Sequence, residues 1–502
     1  MVSTILASSM AFIDGTALNV ILPSLQKDLN ATGPDLFWVL NSYLLMLAAL
    51  IIVGGSLGDK LGRVRIFKIG ILIFTIGSAA CGFSQNIWQL IIFRSIQGIG
   101  GALMIPGSLA IISAVFSKEE KGKAIGTWSA ATTIVTVCGP VLGGALADIG
   151  LWRLIFFINI PLGLLALIAL HYRVPESKEP GTSTIDWTGA VLLTLSLAAL
   201  TFGFLEMPEL GYNHAIVSVS LVVGFVLFVI FIRIEKRGTD PMVPLTLFSN
   251  KTFSGVNLLS FFLYAGLGAI MLFLSLNIIQ VQGYSQFQAG LTFLPFSAMM
   301  IIVARKMGSF TDKYGARGFL IAGPAITGAG MWWLSTVGMT AGPSAYWSTY
   351  FPPFLLFALG MSITVVPLTT AVMACVDDSK SGIASGINNS VTRISGTFTN
   401  AILGAVAIFL FTNYVESDLA TFPISELVRK EIIDETAHLG EAVAPSSLDT
   451  ELQMKVDHLF DKGFIKTYQW VGRLSAILAF LSAIIAYFMV EGKKKNPIRI
   501  DL

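Results

Sequence analysis

The residues with the most chemistry to offer in this chain are charges placed where a charge is costly. The stretch Ser8–Leu25, SSMAFIDGTALNVILPSL, is apolar along its length but carries one carboxylate, Asp14, near its middle. A charge at the centre of a bilayer costs about 2.5–3.5 kcal/mol on insertion scales, so one that is kept there is a candidate for binding an ion, a proton or a substrate. Arg94 is the only base in the apolar part of a later stretch and equally cannot face lipid unpaired. At 1.5 Å of rise per residue Asp14 stands roughly 16 Å into its helix, close to a bilayer midplane. A carboxylate held away from water favours its protonated form, so a proton and a cation would compete there for one charge. The plain alternatives are a permanently neutral structural acid for Asp14 and a static ion pair or carbonyl cap for Arg94.

The composition says what must position these two residues. Of 502 residues, 54% are hydrophobic and only 12% charged, against about 25% charged in soluble domains. Apolar runs of about 20 residues recur along nearly the whole chain, which is the signature of helical spans rather than of an alternating barrel. Counting runs between polar breaks predicts fourteen helices, at about 3–25, 36–58, 66–84, 88–116, 122–147, 152–172, 186–206, 214–234, 253–281, 288–307, 318–339, 346–375, 380–413 and 467–490. The breaks after even-numbered helices, with the C-terminal tail, hold Lys60, Arg63, Arg65, Lys68, Lys118, Lys121, Lys123, Arg233, Lys236, Arg237, Arg305, Lys306, Lys313, Arg317 and Lys493–Lys495. The short breaks on the other side hold little beyond Lys27 and Arg153. The positive-inside rule therefore places both termini in the cytoplasm.

One predicted outside segment, residues 413–466, breaks the short-loop pattern, with eleven acidic and five basic residues. It is expected to form a small, passive helical cap in preference to a partner-binding surface. The net charge of +2 points to no nucleic-acid partner, and the three cysteines offer neither a disulfide framework nor metal-ligand spacing. No phosphate-binding loop, zinc-protease or serine-hydrolase motif is present, so ATP-driven transport and an enzyme are both disfavoured.

The loop after helix two, Gly55-Ser-Leu-Gly-Asp59-Lys-Leu-Gly62-Arg63-Val-Arg65, returns after helix ten as Gly308-Ser-Phe-Thr-Asp312-Lys-Tyr-Gly315-Ala-Arg317. Two homologous six-helix halves with helices seven and eight inserted between them would give this register, and parallel repeats of this kind are a transporter signature.

The first of these loops resembles the G-x-L-x-D-x-x-G-R motif of the major facilitator superfamily. Further matches follow in order: Arg94-Ser-Ile-Gln97-Gly98-Ile-Gly100-Gly101, the Gly139-Pro140-Val-Leu-Gly143-Gly144 pattern typical of antiporters, and Asp14-Gly-Thr16-Ala-Leu-Asn19-Val-Ile-Leu-Pro23 in helix one. The last is similar to the motif of the fourteen-helix drug:proton antiporters, as are Trp152-Arg153 and Asp240-Pro-Met-Val-Pro-Leu-Thr-Leu-Phe248. The resemblance implies an all-α polytopic membrane protein of the major-facilitator fold: an N-terminal bundle over 1–172, a two-helix linker over 173–252 and a C-terminal bundle over 253–502.

The resemblance further implies a proton-coupled antiporter of a bacterial inner membrane, exporting amphipathic or cationic organic compounds by alternating access. It would need no cofactor beyond the proton gradient. Its partners would be protons, a small organic substrate and the bilayer; a monomer is expected, with an outer-membrane or periplasmic partner left open. Export of a lipid-like or siderophore-like metabolite is the alternative. Asp14 and Arg94 would couple protons. Gly55, Asp59, Gly62, Arg63, Arg65, Asp312 and Arg317, with Gly139, Pro140, Gly143 and Gly144, would form conformational gates. Asn19, Trp38, Asn41, Tyr43, Gln97, Trp128, Gln280 and Asn389 are the polar or aromatic candidates to line the substrate cavity. Arg393 is read as lying near the cytoplasmic gate in preference to lining the cavity. No acid falls inside the apolar spans of helices nine to eleven, which argues against dicationic substrates.

Overall fold

The computed structural model describes residues 1–116, 118–176, 186–211, 213–238, 241–376, 381–420 and 422–492. Asp240, Lys493–Lys495 and the side chains of Asp59, Lys118, Lys121, Lys123, Arg305 and Asp312 lie outside the described residues.

Local signals set the helix ends. Helices α1 (Val2–Leu29) and α2 (Gly33–Leu61) are separated by Asn30, which turns the chain at φ 50°, and by Thr32, which forms a reciprocal capping box with Asp35. Next come α3 (Arg63–Phe83), α4 (Ile87–Val115) and α5 (Lys118–Asp148), then a broken span made of α6 (Leu154–Phe157) and α7 (Asn159–Arg173). α8 (Trp187–Leu210) and α9 (Ala215–Arg237) pack against each other. α10 (Lys251–Leu276) ends in a π-helical turn, Asn277–Val281, before α11 (Gln286–Thr292) and α12 (Leu294–Tyr314). The remainder is α13 (Arg317–Leu334), α14 (Tyr346–Thr349), α15 (Phe351–Ala374), α16 (Ser381–Leu419), α17 (Glu426–Glu435) and α18 (Thr450–Met489).

Helix occupies each stretch predicted as a span. Among the described residues twelve segments are long and apolar enough to cross a bilayer, so this is a multi-pass membrane protein. The other two stretches are α5, whose described apolar part is Ile134–Asp148, and α13, where Arg317, Pro324 and several glycines dilute the hydropathy. Within the predicted outside segment 413–466, α16 continues to Leu419, α17 covers Glu426–Glu435 and α18 begins at Thr450, so both adjoining helices run further than the predicted spans. A helix of 39 residues is about 58 Å long, so it projects well beyond a hydrocarbon core of about 30 Å.

Two sets of contacts order the ends of the helices. At one side, Gln26 near the end of α1 donates to the His438 carbonyl and accepts from Gln280 at the end of α10. At the other, the Glu491 backbone N–H, just past α18, donates to Thr252 at the start of α10. Both described chain ends therefore share one side, the terminal side; the opposite one is the far side.

α1 packs on α4, α5 and α7, and α2 and α3 pack on α4. α10, α13, α15 and α18 form a second group with α16. The groups meet where α5 contacts α11 and where α2 contacts α16. α8 leans on both α2 and α16, with Leu193, Leu197 and Phe231 packed among Leu45, Ala49, Ile394 and Phe398.

The repeated loops keep their shape in both places. Gly62 turns from α2 into α3 at φ 116°, and Gly315 turns from α12 into α13 at φ 82°, conformations that side-chain-bearing residues rarely adopt.

Candidate functional site

The helix packing closes one charged cluster inside the first group. Asp14 on α1 is 3% exposed, Arg94 on α4 1% and Gln97 0%. Arg94 Nη1 donates to Asp14 Oδ2 at 2.6 Å and to Gln97 Oε1 at 2.8 Å, and Gln97 Nε2 donates to Asp14 Oδ1 at 2.9 Å. Arg94 and Gln97 are three positions apart, so one face of α4 presents both to the same carboxylate. The guanidinium lies 4.4 Å from the centre of the Tyr43 ring, and its Nε reaches the Val39 carbonyl at 3.4 Å. Cys81 adds a thiol 3.8 Å from Gln97 Oε1. A buried ion pair is retained only when its remaining donors and acceptors are satisfied, and here both carboxylate oxygens are engaged.

Small residues let α4 approach closely enough for this. A Cβ on Gly98 would stand 2.5 Å from the Tyr43 carbonyl, and one on Gly100 2.3 Å from the Phe74 nitrogen. Toward the terminal side a chain of hydroxyls continues, in which Trp128 Nε1 donates to Ser8 Oγ at 3.2 Å and Ser8 donates to Ser108 at 2.9 Å.

The other predicted cavity residues scatter. Tyr43 and Gln97 belong to the cluster. Asn19 is half-buried on α1, one turn beyond Gly15, and Asn389 is exposed on α16. Trp38 is turned away from the cluster: its Nε1 donates to Glu206 on α8 at 3.2 Å, and its ring packs on Phe202. Gln280 donates to Gln26 at 3.0 Å on the far side. Asn41 is fully buried, and neither of its amide atoms has a partner.

The predicted gate residues divide by side. At the terminal side Gly62 has a second constraint besides its φ, because a Cβ there would meet the Glu176 carboxyl at 2.7 Å. Glu176 accepts from the Val64 and Arg65 backbone N–H groups at 2.9 and 3.0 Å and so caps the start of α3. The sequence pattern gave no signal for that acid. Gly55 makes ordinary contact with Pro106, Arg63 is half-buried and Arg65 exposed. Arg317 donates to the Tyr487 carbonyl at 2.9 Å. The side chains of Asp59 and Asp312 lie outside the described residues, as noted above.

At the far side the antiporter-like stretch of α5 sits between two neighbours. Gly139 and Gly143 face α1, where a Cβ would stand 2.0 Å from Thr16 Oγ1 and 3.0 Å from Ala17. Gly144 faces α11, with a Cβ position 2.2 Å from the Gln286 carbonyl, and a Cβ on Gly290 of α11 would stand 2.4 Å from the Pro140 carbonyl. Asp148 then accepts from the Gln286 and Phe287 backbone N–H groups at 2.8 and 3.0 Å, capping α11 across the interface. Hence α5 seals the two groups together on the far side.

The sequence pattern of the Major Facilitator Superfamily matches residues 4–400. The multidrug resistance protein Stp of Mycobacterium tuberculosis is 33% identical over 453 residues, covering 88% of this chain and 83% of that protein. The tetracenomycin C resistance and export protein of Streptomyces glaucescens is 28% identical over 485 residues, covering 95% and 89%. A solved bacterial homolog of the human lysosomal transporter Spinster, inward-facing and unoccupied, superposes with a TM-score of 0.63 at 18% identity over 97% of this chain and 96% of its own, a likeness of fold alone.

Proposed function

This chain belongs to the major facilitator superfamily, a transporter and not an enzyme, and from that premise we propose that it exports drug-like organic compounds in exchange for protons. The proposal takes the fourteen-helix arrangement, with a bundle over 1–172, a two-helix linker over 173–252 and a second bundle over 253–502. α5 and α13 count as spans in it because each packs among the others as they do. Both termini lie in the cytoplasm of a bacterium, in its inner membrane, and the proton gradient is the only energy source.

The export of drugs is supported by the relatives, one a multidrug resistance protein and one a tetracenomycin C resistance and export protein. The proton role rests on a single observation, the closed Asp14–Arg94–Gln97 cluster. In this arrangement both Asp14 oxygens already accept hydrogen bonds within the protein, which favours a proton over a bulky cationic substrate as the species exchanged there. Protonation removes the charge that holds Arg94, which then relies on Gln97, Val39 and Tyr43. Loss of the proton pulls the guanidinium back. Two positions of one guanidinium, each favoured by one protonation state, would bias the packing of α1 against α4 and with it the access of the site. The far-side seal on α5 is the element such a bias opens and closes.

In proteoliposomes with an imposed pH gradient, substrate efflux should follow the gradient and be lost in Asp14→Asn. Gradient-dependent efflux at the unmodified rate in that variant would sink the assignment.

A further inference from the structure

Beyond the charged cluster stands a further arginine, on α16. Arg393 lies twelve positions beyond the start of α16, about 18 Å along the helix and inside the apolar span Ala384–Leu419. It is within electrostatic range of the hydroxyls of Tyr43 and Tyr264. Tyr43 is the residue under the Arg94 guanidinium, so Arg393 is coupled electrostatically to the cluster from the opposite helix group. Among the described residues no carboxylate pairs with it, whereas Arg94 is neutralised by Asp14.

The faces of α16 show where this charge points. Ile394 and Phe398 pack toward α2 and α8. Ser395 donates to the Phe261 carbonyl, and Asn388 donates to Asn257 and Ser260, all on α10. Asn389, Arg393, Gly396 and Asn400 recur at helical spacing on one face, whose Gly396 and Asn400 also border Gly268 of α10. That face borders open space: a Cβ on Gly396 would meet nothing within 4 Å, and the same holds at Gly15, beside Asp14 on α1. Two turns along, Asn400 is more than nine-tenths buried, with its amide oxygen unpartnered. An amide there can present either an acceptor or N–H donors to a ligand.

An unpaired guanidinium within a span is costly and marks a binding position. Its planar fork of donors matches the oxygens of a carboxylate, sulfonate or phosphate. With Asp14 and Arg94 cancelling each other, Arg393 sets the sign of the site. We infer that Arg393 is the anchor for substrate, and that the substrates carried are amphipathic organic anions or zwitterions rather than cations. This rests on the transport reading above and names its substrate class. Export of a net anion from an inside-negative cell is also driven by the membrane potential.

The test uses two xanthene dyes of similar shape and opposite charge, carboxyfluorescein and rhodamine 6G, bound to the purified full chain in lipid nanodiscs and read by fluorescence anisotropy. Carboxyfluorescein should bind the unmodified protein more tightly than rhodamine 6G. Arg393→Gln should weaken carboxyfluorescein at least tenfold and leave rhodamine 6G unchanged or tighter, while Arg393→Lys should keep most of the anion affinity. Preference of the unmodified protein for rhodamine 6G would overturn the inference. So would unchanged anion binding in Arg393→Gln, or equal loss of both dyes in both variants. Binding needs no pH gradient, so these outcomes are independent of the efflux test on Asp14.

Discussion

At the scale of single residues, the Asp14–Arg94 pair is held by a shared set of hydrogen bonds rather than by attraction alone. Taking two ions out of water costs several kcal/mol each, and the pair survives burial because Gln97 bonds to both partners and Tyr43 lies against the guanidinium. Removing one partner therefore harms more than removing both. Arg94→Gln should destabilise the protein by about 3–5 kcal/mol, since it strands a carboxylate, whereas Asp14→Asn with Arg94→Gln should recover a large part of that loss. Chemical unfolding in detergent micelles would rank the two, and a double variant no better than the single one would remove the pair as the reason.

At the scale of elements, α5 is a helix whose function depends on lacking side chains. Gly139 and Gly143 lie against α1 and Gly144 against α11, so one helix meets neighbours from both groups. The Gln286 carbonyl is backbone and cannot turn aside from a new methyl group at a 2.2 Å position. Gly144→Ala should therefore pry α5 from α11 and leave the far side partly open. In a background lacking the exposed thiol of Cys138, a cysteine at Ser24, which bonds Gln286 in this seam, should react faster with a membrane-impermeant maleimide when Gly144→Ala is present. Equal labelling rates would show that the seal tolerates the methyl group.

At the scale of the whole molecule, the described hydrogen bonds between the two helix groups gather on the far side. They run through Gln26 to Gln280 and His438, and through Asp148 to α11. The segment after α17 takes part, with Leu439 fully buried at φ 56° beside Gly33 of α2. Leu439 is a branched residue in a sparsely allowed conformation, and such strain persists only where its surroundings over-determine it. Glu441 follows. Burial raises its carboxyl above the ordinary carboxylate value, with Lys27 and Gln280 opposing. An acid with a raised value in the closed form keeps its proton there longer than in the open form. Closure is thus favoured at acid pH, and the preference fades as the pH climbs from the ordinary carboxylate value through the raised one. Amide exchange across residues 436–442, corrected for its intrinsic rate, should be slower at about pH 4 than at about pH 6, and Glu441→Gln should flatten that difference. The neighbouring Glu435–His438 pair stays intact in that variant, so a profile unchanged by it would assign the effect elsewhere.

The sequence alone determined where helices form, because span length and hydropathy are local properties of a twenty-residue window. It also located both turning glycines, Gly62 and Gly315, through a repeated pattern, and the Asp14, Arg94 and Gln97 trio through charge where charge is costly and through the motifs. What it left open was rotation. In a membrane protein the lipid-facing and protein-facing sides of a helix are both apolar, so no amphipathic stripe says which way a residue points. Only the packing turned Trp38 toward Glu206, moved Gln280 into the far-side seal and buried Asn41. The same packing set Glu176 over the start of α3, from a place in the sequence more than a hundred residues away. It also brought Arg393 within electrostatic range of Tyr43, since two helices remote in sequence meet only once the bundle is assembled.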